Sequence, residues 1–458
     1  MRIAIAQAPA TEMGAWRETL AGIKRLIAQA AQQGADLVVL PECVWPAYCL
    51  GSRSEYESAR LGGMPGSEAL LDCFHGAANR HHIGICGGYV EEAEEYLYNA
   101  ACLFDGSGAL VGTHRKCFLW DFDHDYFTAG ERVEPIDTTF GRVGMMVCAD
   151  ARLPEIAATL AARGAELILQ PTAWVNVGTE AEPWNPQADF LIRARAAESG
   201  IPIASASKWG EERGATFIGA SLICDARGEV LTACAVGQTE VQTAEVRLGT
   251  PRRAVLSDAT RSVLESNEVV QPGADVGPLR LTGQAYADGG GILSAQSDIE
   301  GSESSKVVVL MSGSGGAQVT CAERGGRRPQ AFVPESMTEP LRVGQATVAS
   351  VTSAEAEHFG AIRAWALRGV HLVLVLGCAR GTVALRARAC ENRVFVVGIA
   401  SEGWCVLAPS GRVLAEHRWG AAGEAMRPVV LPIAQAAQKE VARGTDMLQG
   451  RRPEQYLF

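Results

Sequence analysis

Along the first 250 residues, short apolar runs alternate with apolar stripes of helical period. Residues 2–7 form a short, alternating stretch that predicts a strand. Leu20, Ile23, Ile27, Ala30 and Ala31 mark one face of a helix that Gly34 is placed to stop. The continuous run of residues 37–40 reads as a buried strand, closed by Pro41. A helix is predicted over residues 67–80 with Ser67 as N-cap, then a strand over 83–89. Residues 99–104 and 109–113 flank Asp105-Gly106-Ser107-Gly108, a hairpin signal. There follow a strand over 143–147, a helix over 154–162 stopping near Gly164, and a strand over 167–169. A helix over about 189–198 leads to a strand near Ile203 and a second hairpin at Asp225-Ala226-Arg227-Gly228. Residues 44–60 and 174–188 read as loops that shape any pocket. The class is α/β, with helices outside mixed sheets.

Beyond residue 250 the pattern weakens. Residues 283–305 are rich in Gly, Ser and acidic side chains and read as a mobile part of a linker spanning 251–305. The tail then repeats part of the first half in the same order, as loop deletions in a second copy would produce. Leu103-Phe104-Asp105-Gly106-Ser107-Gly108 matches Leu310-Met311-Ser312-Gly313-Ser314-Gly315, and residues 143–151 match 348–356. Arg193–Glu198 matches Arg386–Glu391, and Gly228–Leu231 matches Gly411–Leu414. In the second copy Glu323 stands for Lys116 and Ser353 for Cys148, so it cannot do the same chemistry. The expected units are 1–250, a linker 251–305, and a degenerate partial copy over 306–458.

Composition adds mostly exclusions. The chain has 458 residues, 47% hydrophobic and 20% charged, the profile of a globular protein too long for a single core. A net charge of −11 leaves no cationic excess for nucleic acid. No apolar run reaches membrane-spanning length, and the N-terminus reads as a strand already inside the fold. Thirteen cysteines, odd in number and without CxxC clustering, argue against a disulfide framework and a structural zinc site. A reducing, cytoplasmic setting is expected. His81, His82 and His114 are not expected to be metal ligands.

Three polar residues sit where strands end, the place from which an α/β scaffold points side chains into a crevice. Glu42 follows the run 37–40, Lys116 closes the first hairpin, and Cys148 directly follows 143–147. Singly they read as a surface carboxylate, a solvated amine and a packed cysteine. Asp150 and Glu155 read equally well as support for helix termini.

Leu40-Pro41-Glu42, Arg115-Lys116 and Val147-Cys148-Ala149-Asp150, backed by Arg152-Leu153-Pro154-Glu155, resemble in order and spacing the catalytic blocks of the nitrilase, or carbon–nitrogen hydrolase, superfamily. Pro171-Thr172-Ala173-Trp174, Arg193–Glu198 and the ending Arg451-Arg452-Pro453-Glu454-Gln455-Tyr456 extend the resemblance. It implies a four-layer α-β-β-α sandwich, with a second, truncated α/β unit of the same kind. It implies a cysteine-dependent hydrolase of a small linear amide or N-carbamoyl compound, working with water through a thioester and releasing ammonia, without cofactor or metal. Cys148 would be the nucleophile, its thiol made more available by neighbouring charges, and Glu42 the general base. Lys116 would stabilise the oxyanion together with the backbone N–H of Ala149. Asp123 falls where many members carry a second glutamate, one methylene short; Asp121 and Asp125 compete for that role. Tyr48, Trp120 and Trp174 lie near the three blocks and would line the substrate pocket, though buried packing explains them as well. Cys followed by Ala-Asp resembles the amidase and carbamoylase branches more than the nitrile-cleaving branch. A nitrile hydrolase and a non-catalytic scaffold remain the alternatives. The resemblance also implies a homo-oligomer, or a second copy occupying the usual dimer surface.

Overall fold

The structure, a computed structural model, describes residues 1–285, 291–297, 306–311, 317–322, 339–419 and 427–458. Two compact units divide it. The first is Met1–Ala254 with Ala442–Thr445 and Glu454–Phe458; the second is Val255–Val441 with Asp446–Pro453. The boundary thus falls close to residue 250, but two pieces of the tail belong to the first unit.

The first unit opens with β1 (Arg2–Pro9), α1 (Trp16–Gln32), β2 (Leu37–Val39), α2 (Arg53–Leu61) and α3 (Glu68–His81). It continues through β3 (Gly84–Ala93), β4 (Tyr96–Phe104), β5 (Leu110–Arg115), the single turn α4 (Asp123–Tyr126), β6 (Ile136–Thr138) and β7 (Gly141–Met145). Then come α5 (Pro154–Ala162), β8 (Leu167–Thr172), α6 (Ile192–Ser199), β9 (Ile203–Glu212), β10 (Ala215–Ile218), β11 (Leu222–Cys224), β12 (Val230–Ala233) and β13 (Glu240–Glu245). One sheet runs β5-β4-β3-β2-β1, with β13 antiparallel on β1; the other runs β6-β7-β8-β9 and on to β11 and β12. They meet at one corner, where Ala8 and Pro9 pair with Lys208 and Trp209. α1 and α3 cover the first sheet, α5 and α6 the second, and β2 and β3 lie against β8 between them. Helix, sheet, sheet, helix is the layer order.

The parallel strands at the centre are apolar on both faces because both faces are covered. Ile3 to Ala8 are all buried, so the period-two pattern of β1 marks larger and smaller residues rather than inside and outside. Ile23, Leu26, Ile27 and Ala30 form the inner face of α1. Ser67 stands at the N-cap of α3, but its side chain makes no capping bond. The span 44–60, expected as a loop, holds α2, where Ser52 Oγ accepts from Glu55 N and only Tyr56 is buried. One buried position in nine carries no helical stripe, which is why periodicity did not announce it.

The second unit comprises α7 (Asp258–Glu265), β14 (Leu279–Ala285), β15 (Gly291–Ser297), β16 (Lys306–Met311), β17 (Ala317–Ala322), β18 (Leu341–Val343) and β19 (Ala346–Thr352). After these come α8 (Ser353–Glu357), α9 (Phe359–Leu367), β20 (Leu372–Leu376), α10 (Val383–Asn392), β21 (Phe395–Ala400), β22 (Gly403–Leu407), β23 (Val413–Arg418) and β24 (Val429–Leu431). The linker expectation for 251–305 therefore fails over α7, β14 and β15. Leu279, Leu281, Leu293 and Ala295 are core residues, an alternation that the Gly/Ser content of the stretch concealed. Glu323 lies outside the described residues.

The sheet β18-β19-β20-β21-β22-β23 has the order and senses of β6-β7-β8-β9-β11-β12: antiparallel, parallel, parallel, antiparallel, antiparallel. Val143 pairs with Leu167 where Val348 pairs with Leu372. Arg193 Nε donates to Gly228 O at 2.9 Å, and Arg386 Nε to Gly411 O at 2.9 Å. No helix among the described residues is long and apolar enough to cross a membrane.

Candidate active site

Glu42, Lys116 and Cys148 each leave the end of a strand and turn inward. Beyond β2 the chain still tracks β3, with Leu40 N donating to Cys86 O at 2.8 Å and Gly88 N to Pro41 O at 3.0 Å. This aims the carboxylate of Glu42, which is fully buried, into the interior. A Cβ on Gly88 would lie 2.5 Å from Glu42 Cα and 2.6 Å from Cys43 N, so only glycine allows this approach. Gly88→Ala is expected to displace Glu42 and cut turnover about 100-fold, the scale of a misplacement near 1 Å. Steady-state rates on a variant with wild-type circular dichroism check this; an unchanged kcat would show that the backbone there gives way.

Lys116 follows β5 and is likewise fully buried. Its N–H donates to Asn99 O and its carbonyl accepts from Gly130 N. Nζ lies 2.7 Å from Glu42 Oε1, 2.6 Å from Asp123 Oδ2 and 3.1 Å from the Tyr48 hydroxyl. Despite burial, these two carboxylates hold the ammonium well above the usual lysine range. Of the three aspartates in this loop, Asp123 is the one whose carboxylate reaches Lys116. Asp121 and Asp125 instead face outward, both paired with Arg443. Trp120 N donates to Asp123 Oδ2, tying the loop to its own carboxylate.

Cys148 opens a short 3-10 turn after Val147 with φ +43°, a strained value for a residue with a Cβ. Its Sγ is 3.9 Å from Ala173 O. Burial pushes the thiol up to about 12, Glu42 adding to the rise while Lys116 and Thr172 oppose it. This environment runs against the expected gain in availability: burial and Glu42 favour the protonated thiol, and Lys116 only partly opposes them. The carboxyl of Glu42 is raised above its ordinary value by the same loss of water, with Lys116 and Asn99 pulling it back. Glu42 Oε1 accepts from Lys116 and from Asn99 Nδ2, each at 2.7 Å, whereas Oε2 has no partner among the described residues. One oxygen is anchored and the other is left for chemistry.

Ala149 and Trp174 are buried, and the Trp174 indole N–H has no hydrogen-bond partner among the described residues. Trp120 is nearly buried, with the Arg152 guanidinium 4.5 Å from its ring centre. Three supports escaped the sequence reading. Asn99, read as the start of a strand, is a polar residue inside β4 whose side chain holds Glu42. Glu212 Oε2 accepts from Tyr48 N and Cys49 N and so fixes the segment after Glu42; Lys208 Nζ lies 2.5 Å from its other oxygen. Asp150 is more than a helix support. Its Oδ1 accepts from Cys117 N and Phe118 N, and Oδ2 lies 2.9 Å from both Val147 N and His114 Nε2, riveting the Lys116 loop to the Cys148 turn. Asp150, His114 and Cys117 thus form a cluster that sequence spacing did not reveal. With both Asp150 oxygens engaged, hydrogen bonding accounts for it.

Residues 2–254 match the profile of the carbon-nitrogen hydrolase family. A nitrilase of Pyrococcus abyssi is 34% identical over 240 residues, covering 51% of this chain and 86% of that protein. A chloroplastic omega-amidase of Arabidopsis thaliana is 34% identical over 229 residues, 47% of this chain and 60% of its own length. Among solved structures, an amidase from Nesterenkonia sp. AN1 is 26% identical, covering 55% of this chain and 94% of that one, at a TM-score of 0.47.

Proposed function

Since the chain belongs to the carbon–nitrogen hydrolase family and is a hydrolase of non-peptide carbon–nitrogen bonds, we propose that it cleaves a small linear amide or N-carbamoyl compound through a thioester on Cys148. The observation that carries this reading is the buried Glu42, one oxygen held by Lys116 and Asn99 and the other unpaired, within the electrostatic reach of a protonated thiol.

Glu42 takes the thiol proton as sulfur attacks the carbonyl carbon, and the C=O π pair moves to oxygen. Lys116 and the Ala149 N–H stabilise that oxyanion. As the C–N bond breaks, the oxyanion re-forms the carbonyl and Glu42 returns its proton to the departing nitrogen, giving ammonia and a thioester. Water then attacks, with Glu42 taking its proton. The C–S bond breaks, Cys148 recovers the proton, and the acid leaves. Asp123 keeps Lys116 charged and in place, while Tyr48, Trp120 and Trp174 border the acyl group. In the second unit Ser353 replaces the thiol at the start of α8, so we assign that unit no hydrolysis and read it as a degenerate partial copy of the first.

Ammonia release measured over amides, N-carbamoyl amino acids and nitriles, from pH 4 to 9, tests this. Glu42 must be charged to act, so kcat/KM should rise as pH climbs through its elevated pKa. The midpoint should lie above the ordinary glutamate value of about 4.3. The rate should then stay level to pH 9, because the thiol and the ammonium both titrate higher. Turnover of nitriles alone would move the assignment to the reading favoured by the Pyrococcus relative's name. Absence of any turnover would leave a scaffold.

A further inference from the structure

The first unit contains a segment that arrives late in the chain. Residues 442–445 belong to it, although the sequence leaves the unit after Ala254 and leaves it again after Thr445. This segment lies on the outer side of the loop that presents Asp123. Thr445 is fully buried and its Oγ1 accepts from Asp121 N at 2.9 Å. Asp121 is held at φ +39°, a conformation that an L-residue adopts only when its surroundings impose it. Arg443 forks onto Asp125 at 2.9 and 2.6 Å, and its Nε is 3.4 Å from Asp121 Oδ1. Between them Gly444, at φ +70°, passes so close to the His124 ring that a Cβ would meet it at 3.0 Å. The contacts fall on Asp121, His124 and Asp125, which surround Asp123 in sequence; Asp123 itself is turned the other way, 2.6 Å from Lys116 Nζ.

We propose that Thr445, assisted by Arg443 and Gly444, is a positioning residue of the active site: it fixes the turn of Asp121 and α4 and thereby the carboxylate that orients Lys116. The inference rests on the catalytic reading above only in giving Lys116 a role in turnover. A loop carrying three aspartates beside one buried lysine could present any of them by a small rotation. The clamp occupies two with Arg443, leaving Asp123 to face inward. Asp123 makes up its one-methylene shortfall by close approach, and an approach that short tolerates little drift.

The test uses the full chain with Thr445→Val, which keeps shape and removes the acceptor, and Thr445→Ser, which keeps the hydroxyl. Thr445→Val should lower kcat by about 10- to 100-fold with a much smaller change in KM, and Thr445→Ser should restore most of it. Cys148 alkylation, followed by mass spectrometry, should slow in the valine variant, since a loosened Lys116 opposes the rise of the thiol pKa less. Should the valine variant not fold, Arg443→Ala reports instead, because its side chain is 59% exposed. It should give a smaller kcat loss in the same direction. A variant set with wild-type kcat and wild-type alkylation overturns the proposal. If the wild-type chain releases no ammonia from any compound, the catalytic reading fails, while the alkylation comparison still decides whether the clamp acts on the site.

Discussion

Cys148→Ala is expected to abolish turnover, a loss of about a millionfold, the scale on which removal of an activated nucleophile is felt. It should leave the unfolding temperature within a few degrees of wild type. The thiol's contact to Ala173 O is long, at 3.9 Å, so its loss costs little hydrogen-bonding energy. Alanine retains a Cβ at φ +43°, so the strain of the turn is neither relieved nor increased. Cys148→Ser should recover little, because Glu42 is a weak base for an alcohol. Single-turnover experiments with mass detection check the chemistry: a thioester adduct should form on the wild-type chain and vanish in both variants. A Cys148→Ala protein that keeps more than about one part in a thousand of the wild-type rate, beyond what a residual oxyanion site gives, would mean that another group attacks.

Lys116→Met should damage both activity and fold. Loss of the oxyanion donor removes roughly 3–4 kcal/mol of transition-state stabilisation, about 10²- to 10³-fold in kcat. The structural loss arises because Glu42 and Asp123 are both fully buried and both rest on this ammonium. Removing one partner from a buried charge network typically costs about 3–5 kcal/mol. In a unit of this size that lowers the melting temperature by on the order of 10 °C. Burial already raises the folded-state pKa of Glu42 above its unfolded value, and without the ammonium that opposes this the rise is larger. Acids of that kind stabilise the fold when protonated and lose that contribution as pH rises through the folded pKa. The deficit against wild type should thus be larger at pH 7 than at pH 5. Melting curves at the two pH values check this, and an equal deficit would show that Glu42 carries no charge even with Lys116 present.

Much of the candidate site was legible because its polar residues stand where apolar strands end. Glu42, Lys116 and Cys148 break apolar runs at the points where strands stop, and the structure brings Glu42 to Lys116 with the thiol in their combined field. The supports were harder to read. Asn99 is hidden because β4 alternates against two neighbours, and a polar side chain facing a buried carboxylate looks in sequence like a strand margin. Asp150 has a near neighbour in Val147, but its bonds to His114, Cys117 and Phe118 span more than thirty positions. Periodicity found α1, α3, α5 and α6, whose inner faces are broad, and missed α2, which buries only Tyr56. In the second unit, Gly and Ser content suggested a tether where β14 and β15 lie. Alternation at Leu279 and Leu281 was the better guide, because a strand needs only every second residue to be apolar.

Two pieces of the first unit follow nearly all of the second in sequence, so the residues up to Ala254 are not the whole of it. The stretch that grips Asp121 and Asp125 is one of these pieces. If the proposed clamp acts as argued, a chain stopped before residue 442 would hold its sulfur, its carboxylate and its ammonium without the brace around Asp123.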